Sequence, residues 1–584
     1  MSRMMVGMVC SGLILAGGGF AQEPKVPSNV EGAKAPLAAP GFITVKDHAG
    51  REWKLEDWKE GTAKFPAPED VVKYREWLKD ATRPYPKDLK EREAWHLKKN
   101  GENWDGPVYG HPYTRIMTPG DWKWEYVVTL PDELAKQLST KPPTWTSPVP
   151  WRPWGFGGFP LTFLYAAGAG EVTDIYACTG SGYVHADAKT KKVTFIGSPT
   201  EGGKKDGLGS EARLSPWGDV DPTLDIVSGR IYWMQGKTFS PDSAFRYLDK
   251  LLPYKDKANG KEYLLPALLD YKELYKKVKS PGNGELELVM KDGQRAAPSF
   301  AVHTHAKFKN MLVPGSHRGK RPLLTPDGKG IWLSEKDSGR DTNPAFDNTS
   351  LFEIETGKKL EPLKLAVPFP ATVAVGDGVC SHGGTCVGLD GVIYMCHHCG
   401  CGGGPCRLFS IDPADGKITR LYDSAMGVSW GKWGKKVPQW DGPADASSLT
   451  ATSTKSQMQC PRTGAIINGG WDESGLRRYQ DGFLTSVLAG NQGGFFPGRP
   501  GFSKDTPSID QSIVDIAPNG DIYAAHAKAN ASLIPIVRFY RTDWPKEQPE
   551  YGYGEKVMPR AKLEELMLEY AKKYIENYEA NSRF

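Results

Sequence analysis

A short phrase recurs along this chain, and it constrains the fold more than any bulk property does. Asp174-Ile175-Tyr176, Gly229-Arg230-Ile231-Tyr232, Gly328-Lys329-Gly330-Ile331-Trp332, Gly391-Val392-Ile393-Tyr394, Gly464-Ala465-Ile466-Ile467 and Gly520-Asp521-Ile522-Tyr523 are six copies of one element. A turn, usually made with glycine, leads into a β-branched and aromatic run, and a second turn and apolar run follow. Irregularly spaced copies of such a unit predict an all-β fold, a β-propeller built from blades of related design. The six phrases predict six blades, with seven open because the inserts between copies are long. The 66 glycines, 46 prolines and 18 tryptophans suit short strands and tight turns.

The chain has 584 residues, and all-β folds of this kind run long as single domains. A net charge of +5 is small for that length. It gives no argument for nucleic acid or an anionic membrane, which need clustered Lys and Arg.

Residues 1–21 read as a signal peptide. Arg3 is the positive end, Met4 to Ala16 are apolar, and Gly19-Phe20-Ala21 places small residues at a cleavage site. An exported protein, periplasmic or extracellular, is the expectation, with no transmembrane segment in the mature chain. Residues 22–160 form an N-terminal extension: a Pro- and Lys-rich linker, a hairpin over 41–58, a charged helix from Glu69 to Lys99 and Trp/Pro-rich loops. Trp145, Trp151 and Trp154 there serve either as packing or as the rim of a sugar groove. The propeller is expected over 161–545, with a helical insert at about 255–285 marked by apolar residues from Tyr263 to Lys279. A C-terminal helix occupies 546–584, starting after Pro559 with a stripe of Leu563, Leu566, Met567, Tyr570, Tyr574, Ile575 and Tyr578.

Gly197 to Asp249 resembles an NHL-type repeat. The matching residues are Asp206-Gly207-Leu208-Gly209, Ala212-Arg213-Leu214, Pro216-Trp217-Gly218, Asp221, Gly229-Arg230-Ile231-Tyr232 and Phe245-Arg246-Tyr247-Leu248-Asp249. A fainter copy runs from Asp441-Gly442-Pro443-Ala444 through Gly464-Ala465-Ile466-Ile467 to Gly475-Leu476-Arg477-Arg478-Tyr479, without the Pro-x-Gly element. The resemblance implies the six-bladed architecture of gluconolactonase-like and strictosidine synthase-like proteins. That group holds enzymes and pure binding domains alike, so it implies no particular chemistry. The calcium-binding Glu, Asn and Asp set of gluconolactonase-like proteins has no residue-by-residue match here.

Two constellations stand out. His303 and His305 lie two apart, so on a strand they share a face. Their segment precedes the third phrase, where an inner strand lining the channel is expected, and His382 holds the same place before the fourth. Together His303, His305 and His382 form a candidate site for a divalent metal, zinc or calcium. The second constellation is Cys380, Cys386, Cys396, Cys399, Cys401 and Cys406. An export signal favours disulfides, with Cys380–Cys386 and Cys401–Cys406 two pairings the spacing allows, while thiolates at this spacing also suit a metal. Cys10 lies in the signal, which leaves eight of the nine cysteines, an even number. Asp221, Asp390, Asp515, Arg318, Tyr176 and Tyr394 fall near strand ends, where propellers place functional groups. No phosphate loop, nucleophile elbow or dinucleotide fingerprint occurs. Two functions remain: a binding or scaffold propeller for a glycan or protein partner, and a metal-dependent lyase or hydrolase of an extracellular carbohydrate or small ester using channel histidines. The sequence fixes no catalytic residue, substrate or oligomeric state.

Overall fold

The computed structural model describes residues 44–46, 52–54, 122–129, 163–167, 172–178, 182–198, 202–214, 222–235, 244–270, 272–309, 311–314, 321–335, 346, 348–366, 381–382, 385–399, 407–423, 442–443, 456–469, 476–480, 483–488, 501–502, 513–525, 535–542, 544 and 558–582. The signal segment, the charged helix expected from Glu69 to Lys99, and Trp145, Trp151 and Trp154 lie outside them. Among the described residues the chain is all-β with few helices, in a propeller-like arrangement. Six antiparallel sheets of four to seven strands account for most of it.

The recurring phrase explains how each sheet begins. In the simplest sheet, strands Leu323–Leu324, Gly330–Ser334, Thr349–Glu353 and Lys359–Pro362 follow one another as a meander. The first turn is Thr325-Pro326-Asp327-Gly328, closed by Gly328 N donating to Thr325 O at 2.9 Å. Gly328 takes φ +68°, a left-handed conformation that a side chain resists. The other phrase glycines do the same, with Gly229 at +71°, Gly391 at +78°, Gly464 at +70° and Gly520 at +90°. The β-branched residues that follow sit between neighbouring sheets, with Ile175, Ile331, Ile393 and Ile522 all 0% exposed. Each such side chain contributes roughly 1.5–3 kcal/mol by leaving water.

The first strands of five sheets lie side by side: Leu323–Leu324 beside Thr385–Val387, then Ser456–Gln459, then Ile513–Ile516, which lies beside Phe163–Ala167 from earlier in the chain. The last sheet draws on both ends of the chain. Trp122–Thr129 pairs with Pro535–Arg541 outside Ile522–Ala525 and Ile513–Ile516. Arg538 fastens this joint, donating to Glu125 at 2.9 Å and to Asp521 at 2.7 Å. The core consists of the seams between sheets rather than one central mass. Tyr183 and Trp233 fill one seam, Phe245 and Leu333 the next, and Trp332 and Met395 a third.

The largest sheet orders its strands from Thr223–Leu224 through Ile231–Gln235 and Ala244–Asp256 to Ser299–Lys309 and Gly207–Leu208. The stretch expected to hold a helical insert is different in kind. Glu262–Pro266 is a strand paired with the far half of Ala244–Asp256, and only 3₁₀ turns follow, at Leu268–Asp270 and Lys272–Lys277. Leu268 and Leu269 take φ +46° and +49°, which no right-handed helix admits. The apolar spacing that resembles a helix comes instead from strand alternation followed by a sharp turn.

The helix Arg560–Glu576 starts after Pro559 and buries Leu563, Leu566, Met567, Ala571, Tyr574 and Ile575 against this elaborated sheet. Leu264 N donates to the hydroxyl of Tyr578 at 3.1 Å, and Arg230 lies 5.3 Å from the Tyr570 ring centre. On its other side, Lys329 reaches Glu569 at 3.3 Å and Lys573 reaches Glu355 at 3.2 Å, tying the helix to the next sheet. No helix among the described residues is long and apolar enough to cross a membrane.

Candidate functional site

The turns that begin the sheets also build a cavity. It has a volume of about 140 Å³ and is lined from five sheets. Thr223 and Leu224, Leu324, Cys386 and Val387, Gln459, and Asp515 and Ile516 come from first strands or their ends. Ile226, Pro326, Leu389, Pro461 and Pro518 come from the turns beyond them. Pro326 and Pro518 precede their phrase glycines by two residues, in the turn position where a fixed φ near −65° is favoured. Leu269, held left-handed beside Gly229, adds to the wall from the elaborated sheet.

The polar groups of this wall are mostly occupied. Asp225 is 5% exposed and accepts from Val227 N at 2.9 Å and Ser228 Oγ at 2.5 Å. Burial raises its carboxyl above the usual range against those two donors. Gln459 accepts from Leu389 N at 2.9 Å through its side-chain oxygen, while its amide nitrogen makes only long contacts of 3.3–3.5 Å. Arg321 and Asp515 are buried and engaged. The Cys386 thiol is pushed up to about 12 by burial, with Arg321 opposing weakly, so it stays protonated at neutral pH. The Thr223 hydroxyl, by contrast, is buried and makes no hydrogen bond.

The histidine set lies elsewhere. Ser299–Lys309 is the return strand of the largest sheet, fourth outward from Thr223–Leu224, and not an inner strand. This corrects the expectation for His303 and His305. The inner strand of the next sheet is Leu323–Leu324, and Ile231–Gln235, Ala244–Asp256, Glu262–Pro266, Leu286–Leu288 and Ser299–Lys309 all belong to one enlarged sheet. The two rings do share a face, since both lie against Tyr247, at 5.0 Å for His303 and 6.2 Å for His305. His305 also stacks on Phe308 at 4.4 Å. Burial, with Arg230 adding to it, lowers the His305 imidazole to about 4. His303 is lowered for the same first reason, with Asp249 opposing. His382 lies in another sheet, on its inner edge, with His398 opposite in register. The fold therefore places His303 and His305 in a different sheet and a different layer from His382. Among the described residues no three His, Cys, Asp or Glu side chains group in a metal-holding arrangement.

The cysteine block is partly visible. Cys386 is a free, buried thiol on the inner strand. Seating Thr385–Val387 against Ile393–Cys399 places Cys386 in the cavity wall. Cys396 and Cys399 belong to the partner strand, opposite Leu408 and Ser381 respectively. Cys380, Cys401 and Cys406 lie outside the described residues, as do Asp221 and Arg318. Of the strand-end residues, Asp515 reaches the cavity wall, and Asp390 accepts from the Tyr394 hydroxyl at 2.7 Å beside it.

Two carboxylates outside the cavity, the buried Asp174 and the partly exposed Asp206, act as fasteners. Asp174 accepts from Lys250 Nζ at 2.7 and 2.8 Å, from Thr173 Oγ1 at 2.8 Å, and is bonded to His185 Nε2 at 2.5 Å. Burial pushes its carboxyl up, and His185 and Lys250 together more than offset that, holding it well below the usual carboxylate range. Asp206, from the NHL-like phrase, accepts from Thr304 N and from the buried Arg246, both at 2.9 Å. That explains the Asp-Gly of the phrase as a clamp on the outer strand.

No family model and no curated protein matches the chain. Among solved structures it is similar to an auxiliary nutrient binding protein from Bacteroides ovatus, at 10% identity over 72% of this chain and 77% of that one, with a TM-score of 0.33. It is also similar to a gluconolactonase from Xanthomonas campestris, at 10% identity over 66% and 89% with a TM-score of 0.28. A luciferin-regenerating enzyme gives 11% identity over 68% and 95%, with a TM-score of 0.28.

Proposed function

We propose that this protein is an exported, six-bladed, NHL-like propeller that works as a binding module, holding a small ligand in the cavity at the first-turn end of its blades. The six sheets support the blade count, with the N-terminal strand completing the sixth. The observation that carries the binding reading is the state of the cavity's polar groups. Asp225 spends its oxygens on Val227 and Ser228, Gln459 its oxygen on Leu389, and Cys386 keeps its proton. General acid–base or nucleophilic chemistry needs a group poised near the working pH and open to the substrate. A wall of mostly satisfied groups around an apolar space instead suits recognition.

The test is to denature protein purified without added ligand and identify released small molecules by mass spectrometry. The expected result is about one ligand per chain from the wild type and none from Leu389→Trp, which fills the cavity from its rim. Equal release from both proteins overturns the reading. Turnover of a sugar lactone or ester that disappears in His303→Ala with His305→Ala, alongside loss of about one zinc or calcium per chain, establishes the metal-dependent alternative instead.

A further inference from the structure

We infer, resting on that binding reading, that the C-terminal helical segment belongs to the ligand site at one remove: it clasps the turn at Leu268–Leu269 into the cavity wall, so that helix docking and ligand binding stabilise each other. The turn is strained. Leu268 and Leu269 follow one another at φ +46° and +49°, where Cβ crowds the following carbonyl oxygen. Two such leucines in succession persist only where their surroundings over-determine them, and strain of this kind gathers at clamps and switches. Leu269 lines the cavity. The backbone of the turn lies against Gly229, where a Cβ would stand 3.5 Å from Leu269 N and 3.7 Å from Leu268 Cα. Relaxing the turn to ordinary backbone angles carries Leu269 out of the wall.

The chain is gripped on both sides of this turn by Arg560–Glu576 and the short helix Tyr578–Asn581 after it. Before the turn, in strand Glu262–Pro266, Leu264 N donates to the Tyr578 hydroxyl at 3.1 Å, and the Tyr263 ring meets the Tyr578 ring at 5.2 Å. After the turn, Leu274 and Tyr275 pack in one apolar cluster with the helix residues Leu563 and Met567. Tyr275 also closes the loop on itself, donating to Pro266 O at 2.8 Å. The helix interface is not saturated: the Tyr570 and Tyr574 hydroxyls are buried without a hydrogen bond. Each missing bond weakens docking relative to a satisfied contact. A helix packed outside the sheets over orphaned hydroxyls opens at less cost than the whole fold. When it lifts, the turn loses both holds and the wall opens beside Leu269. A ligand that needs the closed wall opposes that opening, and linkage makes the effect mutual.

Hydrogen exchange and titration calorimetry on the full chain test this. Benzene is the probe, since a cavity of about 150 Å³ in an engineered lysozyme admits it and this one measures about 140 Å³. Benzene is expected to bind once per chain. At about ten times its Kd it should slow exchange about tenfold in residues 262–278 and 560–576, and leave the outer strand Lys417–Asp423 unchanged. Ala571 is 0% exposed, so Ala571→Arg drives a charge between helix and sheet and should undock the helix. Exchange in 262–278 should then rise at least about tenfold and benzene weaken at least about tenfold, with Ile393–Cys399 still protected. Tyr578→Phe is the milder variant should Ala571→Arg not fold, and should speed 262–278 about fivefold. If 262–278 stays unchanged in the folded variants, the helix does not hold the turn. If Ala571→Arg frees the turn and benzene affinity holds, the turn does not shape the site. Benzene that protects 262–278 without 560–576 breaks the coupling. Each of these overturns the inference and leaves the binding reading standing. If benzene does not bind, the molecule released on denaturation decides: loss from Ala571→Arg supports the clasp, and equal release from wild type and variant overturns it. Absence of both benzene binding and a carried molecule overturns the binding reading, and the inference with it.

Discussion

Lys250→Met tests the claim that neighbouring sheets are bolted by buried charge as well as by apolar packing. Lys250 and Asp174 belong to different sheets, with side chains only 6% and 5% exposed. The substitution keeps most of the volume and removes the cation. Breaking a buried ion pair from one side costs about 3–5 kcal/mol, because the remaining charge stays desolvated. Thr173 and His185 still hold Asp174, so the cost should fall near the lower end, about 3 kcal/mol. Two assays read it: the urea unfolding midpoint, and hydrogen exchange in strand Asp174–Cys178, whose protection should drop first. Adding Asp174→Asn to Lys250→Met should recover part of the loss, since the stranded charge is then gone. The pH dependence has a definite sign. The folded carboxyl of Asp174 is depressed, so its stabilisation is complete above the unfolded value of about 3.9 and fades as pH falls toward the lower folded one. The gap between wild type and Lys250→Met should therefore narrow below about pH 4. A cost under about 1 kcal/mol at pH 7 would refute the reasoning, placing the pair with exposed salt bridges.

Gly328→Ala forces a side chain into φ +68°, and its Cβ would meet Asp225 Oδ1 at 2.6 Å and Val227 Cβ at 3.0 Å. It should cost at least about 1–2 kcal/mol in urea unfolding and disturb the cavity wall. Cys386 should resist alkylation in native protein at pH 8 and label only on unfolding, as peptide mapping by mass spectrometry can show, because burial holds its thiol near 12. His305 binds its proton at about 4 in the fold and near 6.5 unfolded, so the unfolded chain takes up a proton the fold refuses and stability falls as pH drops through that window. His305→Phe should remove part of that slope, read as the difference in urea midpoint between pH 7 and pH 4.5, while costing little at pH 7.

What the sequence made legible depends on how local each cause is. The strand-turn phrase could be read because a left-handed glycine and the β-branched residues after it act within a few residues of each other. The return strand Ser299–Lys309 was misplaced because its partner, Ala244–Asp256, lies beyond an inserted hairpin, and no local signal says which sheet a strand rejoins. The stretch after Tyr263 resembled a helix because paired leucines fit both a strand edge and a helix stripe. Only the backbone of Leu268 and Leu269 decides between them. The histidine pair follows from strand parity alone, while its distance from His382 is a matter of topology. The cavity was the hardest to see, since its collar residues lie in turns far apart in the chain. A signal was present all the same. An apolar residue stands two or three places before each of the five phrase glycines, at Ile226, Pro326, Leu389, Pro461 and Pro518. Proline there serves the turn, but Ile226 and Leu389 do not share that backbone reason, and at a solvent-facing turn a polar residue would be the ordinary choice. Their apolar character is explained by what they line, so the collar reflects a requirement of the cavity in addition to the needs of the turns.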